Sequence, residues 1–236
     1  MNSSRKPLVF IISAPSGSGK STLVNELMRL VPGLDFSVSY TTRPPRGSEQ
    51  NGKQYYFIGR EEFEEMIRAN EFLEHADVFG NYYGTARRFL REAEAAGHDL
   101  LLDIDVQGAQ QIKQKLPDAI SIFVLPPDRK TLEWRLRKRS EDSAEVIAHR
   151  LVKAGGEIEN YSKYDYVLIN DKLEESSEIL QAMVLGERLR HSGRTLSEGE
   201  WEIVNRADCQ RLANVKNRVE PILESFRAVA PQSARS

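Results

Sequence analysis

The chain is 236 residues long, 40% hydrophobic and 29% charged, and its 33 Lys and Arg nearly balance 35 Asp and Glu for a net charge of -2. That composition excludes a fibrous or disordered class and leaves no overall basic footprint of the kind nucleic-acid binders carry. A lone cysteine, Cys209, excludes an internal disulfide framework and suits a reducing compartment, and the first apolar run, Leu8 to Ile12, is too short to cross a bilayer. One large α/β domain, or one domain with an appendage, is expected in the cytoplasm, with neither nucleic acid nor membrane as partner.

Chain order begins with LVFIISAPSGSGKSTL, residues 8–23. Leu8 to Ile12 reads as a buried parallel strand, and Leu23, Val24, Leu27 and Leu30 mark a helix that Pro32-Gly33 closes. Strand, glycine loop and helix make the P-loop arrangement. Gly17 and Gly19 let backbone N–H groups turn onto phosphate oxygens, and the helix N-terminus adds a positive dipole end. The Lys20 ammonium can bridge β- and γ-phosphates, and the Ser21 hydroxyl can ligate Mg2+. Ala14, Pro15, Ser16, Gly17, Ser18, Gly19, Lys20, Ser21 and Thr22 together read as a nucleoside-triphosphate site, with Ala14 where the usual pattern begins with Gly.

Phe36 to Arg46 alternates at first like a short strand and then stiffens at Pro44-Pro45. Asn51-Gly52 turns into a strand over Gln54 to Ile58, and Arg60 to Asn70 is an amphipathic helix. Phe72 to Tyr83 reads as short strands with turns at Gly80-Asn81 and Gly84, and a helix runs from Thr85 to Gly97. Residues 37–85 thus form a small β-rich insertion in a βα chain. Leu100 to Asp105 is a second buried strand ending in acid, the place from which a P-loop protein holds Mg2+ through its water shell. Ala119 to Leu125 is a third strand, followed by a basic helix from Arg129 to Arg139 and a helix carrying Arg150 through Tyr161. Tyr164 to Ile169 is a fourth strand, ending in Asn170-Asp171, and 172–185 is the helix after it.

Two residue sets ask for a reason beyond folding. Arg43, Arg46, Tyr55 and Tyr83 suit a fixed phosphate clamp, since Arg presents a rigid fork and Tyr hydroxyls donate to the same anion; in isolation a solvated loop is an even match. Arg135, Arg139 and Arg150 suit a cationic lid over a phosphoryl donor, although an arginine helix is often only a solvated face.

The stretches SAPSGSGKSTL, SVSYTTRPPRGSEQNGKQYYF, EFLEHADVFGNYYGT, LLLDIDVQG and YDYVLIND span about 8–186 and resemble the guanylate kinase family. The resemblance implies an α/β P-loop kinase with a central parallel sheet, a β-rich GMP-binding insertion at about 37–96 and a helical lid at about 135–157, all within a domain of residues 1–186. It implies Mg2+-dependent transfer of the ATP γ-phosphoryl group to GMP or dGMP. Arg43 and Arg46 match the arginines on the GMP phosphate, assisted by Tyr55 and Tyr83, and Glu74 matches the acid that reads guanine. Guanine offers N1–H and N2–H donors side by side, whereas adenine would leave a desolvated carboxylate unpartnered. Ser39, Thr85 and Asp105 match residues near the base, Asp103 the magnesium-side acid beside Ser21, and Asn170 a residue near the donor adenine. The residues leave open how Asp103 and Asp105 divide their roles. Lys20, Arg43, Arg135, Arg139 and Arg150 match the catalytic cations. The alternatives are a catalytically silent member of the fold that binds partner peptides, and a kinase for AMP or UMP.

Residues 187–236 form a helical C-terminal extension past the resemblance. Ser197 to Glu200 fits a capping box, and Leu212, Val215, Val219, Ile222 and Phe226 recur as in a helical seam. Pro221 argues against one straight helix there. The seam suits packing on the core or self-association, so monomer and homo-oligomer both stay open, and the residues from Pro231 are expected to be disordered.

Overall fold

A computed structural model describes residues 6–78, 80–139 and 143–227. The expectation of disorder from Pro231 lies outside the described residues. The chain forms two compact units, Met1–Ile12 with Val31–Ile120, and Ser13–Leu30 with Ser121–Ser236.

In the first unit, β1 (Val9–Ser13) and β2 (Leu34–Ser37) both pair in parallel with β7 (Asp99–Asp103), setting Ile11 and Ser37 level with Leu102. β1 is buried throughout and β7 along its first four residues, which is why both read as unbroken apolar runs. A separate four-stranded sheet runs in the order β4 (Tyr56–Phe57), β3 (Tyr40–Thr41), β6 (Asn81–Ala86), β5 (Phe72–Val78). α2 (Arg60–Arg68) covers it, with Phe63 stacked on Phe72 at 4.4 Å and on Tyr82 at 5.2 Å. α3 (Arg87–Ala96) ends at Gly97 in the left-handed region, and α4 (Val106–Lys115) packs on β5.

Five local expectations fail here. The single strand from Phe36 is two, β2 and β3, in different sheets. The strand expected over Gln54 to Ile58 contracts to β4. Gly84 is not a turn: it sits inside β6, where a Cβ would lie 2.9 Å from the Phe72 ring and 3.0 Å from Phe63. Thr85 therefore belongs to β6 and not to a helix, and Asp105 leaves its strand to cap α4 by accepting the Gly108 N–H at 2.8 Å.

In the second unit, β8 (Ile120–Leu125) pairs in parallel with β9 (Tyr166–Ile169). α1 (Lys20–Leu30) packs on α7 (Leu173–Arg190), and α8 (Glu198–Asp208) lies along α7 behind the expected capping box. α5 (Arg129–Arg139) and α6 (Ala144–Ile158) bury Leu132, Leu136, Ile147, Leu151 and Ala154 between them, and a 3-10 turn over Glu159–Lys163 replaces the last expected helical turn. α9 (Leu212–Arg227) runs unbroken through Pro221. That proline and Asn217, whose carbonyl loses its helical donor, are both exposed, so water can satisfy the orphan. The seam residues Val215, Val219 and Ile222 are buried within the chain, α9 packing on β9, α6 and α5. Among the described residues no helix is long and apolar enough to cross a membrane.

Candidate active site

The glycine loop lies between β1 and α1. The Ser18 N–H donates to the Pro15 carbonyl at 3.1 Å, and Gly17 and Gly19 take φ of 91° and 90°. Both glycines are also packed: a Cβ would lie 2.8 Å from Leu136 Cδ2 at Gly17 and 2.3 Å from Asn170 Nδ2 at Gly19. Only glycine meets both demands. α1 begins at Lys20, so the loop runs straight into the unpaired N–H groups of a helix start.

Asn170, just past β9, is buried; its Nδ2–H donates to the Ser18 carbonyl at 2.7 Å, while Asn170 Oδ1 and Ser18 Oγ are buried with no hydrogen-bond partner among the described residues. Arg135 donates through Nη2 to the Asn170 carbonyl at 3.0 Å and the Asp171 carbonyl at 3.1 Å, and through Nη1 to the Ser18 carbonyl at 3.4 Å. Burial lowers its pKa from the ordinary arginine value. Arg150 Nη2 donates to Ser16 Oγ at 2.7 Å. Loop, Asn170, Arg135 and Arg150 thus meet in the second unit. Arg139 closes α5, and its side chain lies outside the described residues. Beside the loop is a cleft of about 460 Å³ lined by Gly17, Gly19, Thr22, Arg135 and Asn170, with Trp134, 58% exposed, on its wall.

The first unit holds the other candidates. Arg43 is 7% exposed, and Glu49 grips both arms of its fork, Nη1 to Oε2 at 2.9 Å and Nη2 to Oε1 at 3.0 Å. That hydrogen-bonded pair raises the Arg43 pKa and lowers that of Glu49. The guanidinium lies 5.4 Å from the Tyr55 ring centre, and the Tyr83 ring meets Tyr55 edge-on at 5.8 Å. Arg46 is different: its side chain is exposed and its backbone N–H donates to Glu49 at 2.7 Å. The expected clamp is therefore one arginine pinned in place and a second on the surface.

Glu74, on β5 and 4% exposed, stands opposite Thr85 on β6, whose Oγ1–H donates to Glu74 Oε1 at 2.6 Å. Burial pushes the Glu74 carboxyl up to about 7; the Thr85 hydrogen bond opposes this, and the neighbouring charge of Asp105 adds to it. A Cβ on Gly108 would come within 2.7 Å of Glu74 Oε2, so that glycine makes room for the acid. Asp103 closes β7 and its charge bears on Tyr55, and the Ser39 carbonyl accepts the Tyr56 N–H at 2.9 Å just before β3.

A family model described as guanylate kinase matches residues 4–187. The chain belongs to the guanylate kinase family. A curated guanylate kinase of Koribacter versatilis (strain Ellin345) is 58% identical over 228 residues, covering 95% of this chain and 98% of the relative. The guanylate kinase of Escherichia coli (strain K12) is 50% identical over 186 residues, covering 78% of this chain and 90% of the relative. A solved guanylate kinase of Anaplasma phagocytophilum is 30% identical, covers 92% of this chain and 95% of its own, and superposes with a TM-score of 0.62. The expected α/β kinase fold with a parallel sheet holds, and the activity of the guanylate kinase family, phosphoryl transfer from ATP to GMP, goes with it.

Three neighbours of the guanylate kinase candidates went unread in the sequence. Glu49 was legible as the third charge of an R-x-x-R-x-x-E run, and Gly108 as a small residue one turn into α4. Trp134 carries no signal beyond being aromatic in a basic helix.

Proposed function

We propose that the two residue groups divide the substrates of guanylate kinase chemistry. ATP takes the loop Ala14, Pro15, Ser16, Gly17, Ser18, Gly19, Lys20, Ser21 and Thr22 with Asn170. GMP or dGMP takes Ser39, Arg43, Arg46, Tyr55, Glu74, Tyr83, Thr85 and Asp105. The observation that carries this reading is the buried Glu74–Thr85 pair, a carboxyl group beside a hydroxyl out of contact with the surface. The carboxylate accepts guanine N1–H and N2–H together, and the hydroxyl can turn its proton to O6 once guanine satisfies the acid. AMP offers neither donor and would leave the acid unpaired, a penalty worth orders of magnitude in discrimination.

The chemistry of the reacting groups leaves the protein mainly positioning and electrostatics to supply. The GMP phosphate is already anionic near neutral pH and needs little help from a base. Lys20, Arg135, Arg139 and Arg150 neutralise charge spreading over the transferring phosphoryl oxygens, and Arg43 holds the acceptor phosphate. The Ser21 hydroxyl and the Asp103 carboxylate are hard oxygen donors of the kind that suit Mg2+, which needs no all-protein cage when it rides on phosphates. Ser21 and Asp103 would hold it alongside ATP, and the ion would supply positive charge against the charge that builds up on the phosphates. The lone cysteine suits the cytoplasm as the working compartment.

A coupled ADP-release assay with GMP, dGMP, AMP and UMP tests the reading. Guanine nucleotides alone turn over in the wild type, and Lys20→Met abolishes the signal.

A further inference from the structure

The extension beyond the family match makes a chain of contacts that ends at the glycine loop. Its backbone first adds to the β9 edge: the Val167 N–H donates to the Gln210 carbonyl at 2.9 Å and the Leu212 N–H to the Asp165 carbonyl at 3.1 Å, on either side of an antiparallel bridge between Tyr166 and Arg211. Side chains lock that join. Arg211 Nη2 donates to Glu187 Oε1 at 2.6 Å and Nε to Asp208 Oδ1 at 2.9 Å, the guanidinium lies 4.6 Å from the centre of the Tyr166 ring, and the Tyr166 hydroxyl donates to the same Glu187 oxygen. Tyr166 and Glu187 are both buried, so each polar group of the join has a specific partner.

α9 then reaches the helices that carry Arg135 and Arg150. Phe226 packs on the α5–α6 cluster of Leu132, Leu136, Ile147, Leu151 and Ala154. Ser225 Oγ accepts the Arg129 N–H at 3.1 Å, giving the first residue of α5 a hydroxyl acceptor from 96 positions later in the chain. Leu132 and Leu136 touch the loop itself, since a Cβ on Gly17 would meet their methyl carbons at 3.0 and 2.8 Å. Phe226, the α5–α6 cluster that contains the two leucines, and Gly17 are thus a continuous packed path. Close-packed groups transmit displacement because there is little void to absorb it.

We propose that the C-terminal extension is a strut for the donor site: Phe226 and Ser225 are positioning residues that hold α5 against the glycine loop, so that ATP affinity depends on residues beyond the family match. This rests on the assignment of ATP to the loop. A role confined to global stability would lower the melting temperature without separating the two substrates. A strut does separate them, because its contact path runs to the loop and Arg135.

The test is isothermal titration of MgAMPPNP and of GMP into the wild type, Phe226→Ala, Phe226→Leu and Ser225→Ala, alongside steady-state KM values for ATP and GMP. Phe226→Ala weakens MgAMPPNP binding about fivefold or more and raises KM for ATP in parallel, within the usual range of coupling through packed side chains. GMP affinity stays at the wild-type value, and Phe226→Leu restores most of the loss. Should Phe226→Ala fail to fold, Ser225→Ala carries the same expectation at smaller size, about twofold. Unchanged MgAMPPNP affinity in a folded Phe226→Ala or Ser225→Ala, or equal weakening of both nucleotides, overturns the strut. Failure of the wild type to bind MgAMPPNP, or retention of affinity in Gly19→Ala, instead overturns the donor-site assignment on which it rests.

Discussion

The Thr85 hydroxyl donates to the buried Glu74 carboxyl across paired strands at 2.6 Å, while burial pushes that carboxyl up to about 7. The acid therefore changes charge close to working pH. Asp105 raises it further, and Thr85 and Lys115 oppose the rise. In the proposed role the acid must be ionised to accept the guanine donors. KM for GMP should rise as pH falls below 7, approaching about tenfold per unit, and GMP binding between pH 6 and 7 should release a proton, seen by calorimetry in buffers of different ionisation enthalpy. Glu74→Gln removes both effects.

The same shift makes a stability prediction of opposite sense. A folded-state pKa raised from 4.5 to about 7 means that the native chain holds a proton that the unfolded chain has lost. The contribution is fully present below 4.5 and is lost as pH rises through 7, a swing of about 3 kcal/mol. Glu74→Gln should therefore gain melting temperature over wild type at pH 8 and little at pH 5.

Glu49 holds Arg43 by both arms, and removing it frees a fork whose proposed task, gripping the GMP phosphate, needs it fixed. Glu49→Gln is expected to raise KM for GMP about tenfold with a smaller effect on kcat, whereas Arg43→Met lowers kcat/KM by about 100-fold or more. Steady-state kinetics with GMP varied at saturating ATP separates the two.

Gly19→Ala combines a φ of 90° with a Cβ placed 2.3 Å from Asn170 Nδ2. Destabilisation of about 1–2 kcal/mol in urea and loss of MgAMPPNP binding are expected. Pairing it with Asn170→Ala removes the clash and leaves the backbone strain, so the double variant should recover part of the affinity.

Trp134, 58% exposed, stands on the wall of the cleft beside the glycine loop, where ATP is proposed to bind. In a Trp201→Phe background its fluorescence should respond to MgAMPPNP, and Trp134→Ala should raise KM for ATP about threefold to tenfold through lost ring contact with the adenine.

The glycine loop and the parallel strands are legible because each is written locally, as an apolar run into glycines. The division of residues 36–41 between two sheets is not. Alternation reports that a segment is extended, and β2 and β3 alternate alike while pairing with different partners. Gly84 reads as a turn because a glycine beside Tyr-Tyr signals one, while the crowding that demands it comes from Phe63 and Phe72, distant in sequence. Pro221 signals a break through its missing N–H, while the exposure that makes the loss tolerable is set by the fold. The Glu49 grip on Arg43 depends on a loop conformation that charge spacing only hints at.

The central claim, that Glu74 reads guanine in a buried site, is tested most directly by kcat/KM for GMP and AMP in wild type and Glu74→Gln at pH 8. The account predicts that the wild type prefers GMP by about 10⁴-fold or more and that most of this preference is lost in the variant through a fall in GMP turnover. An unchanged preference in Glu74→Gln would contradict it.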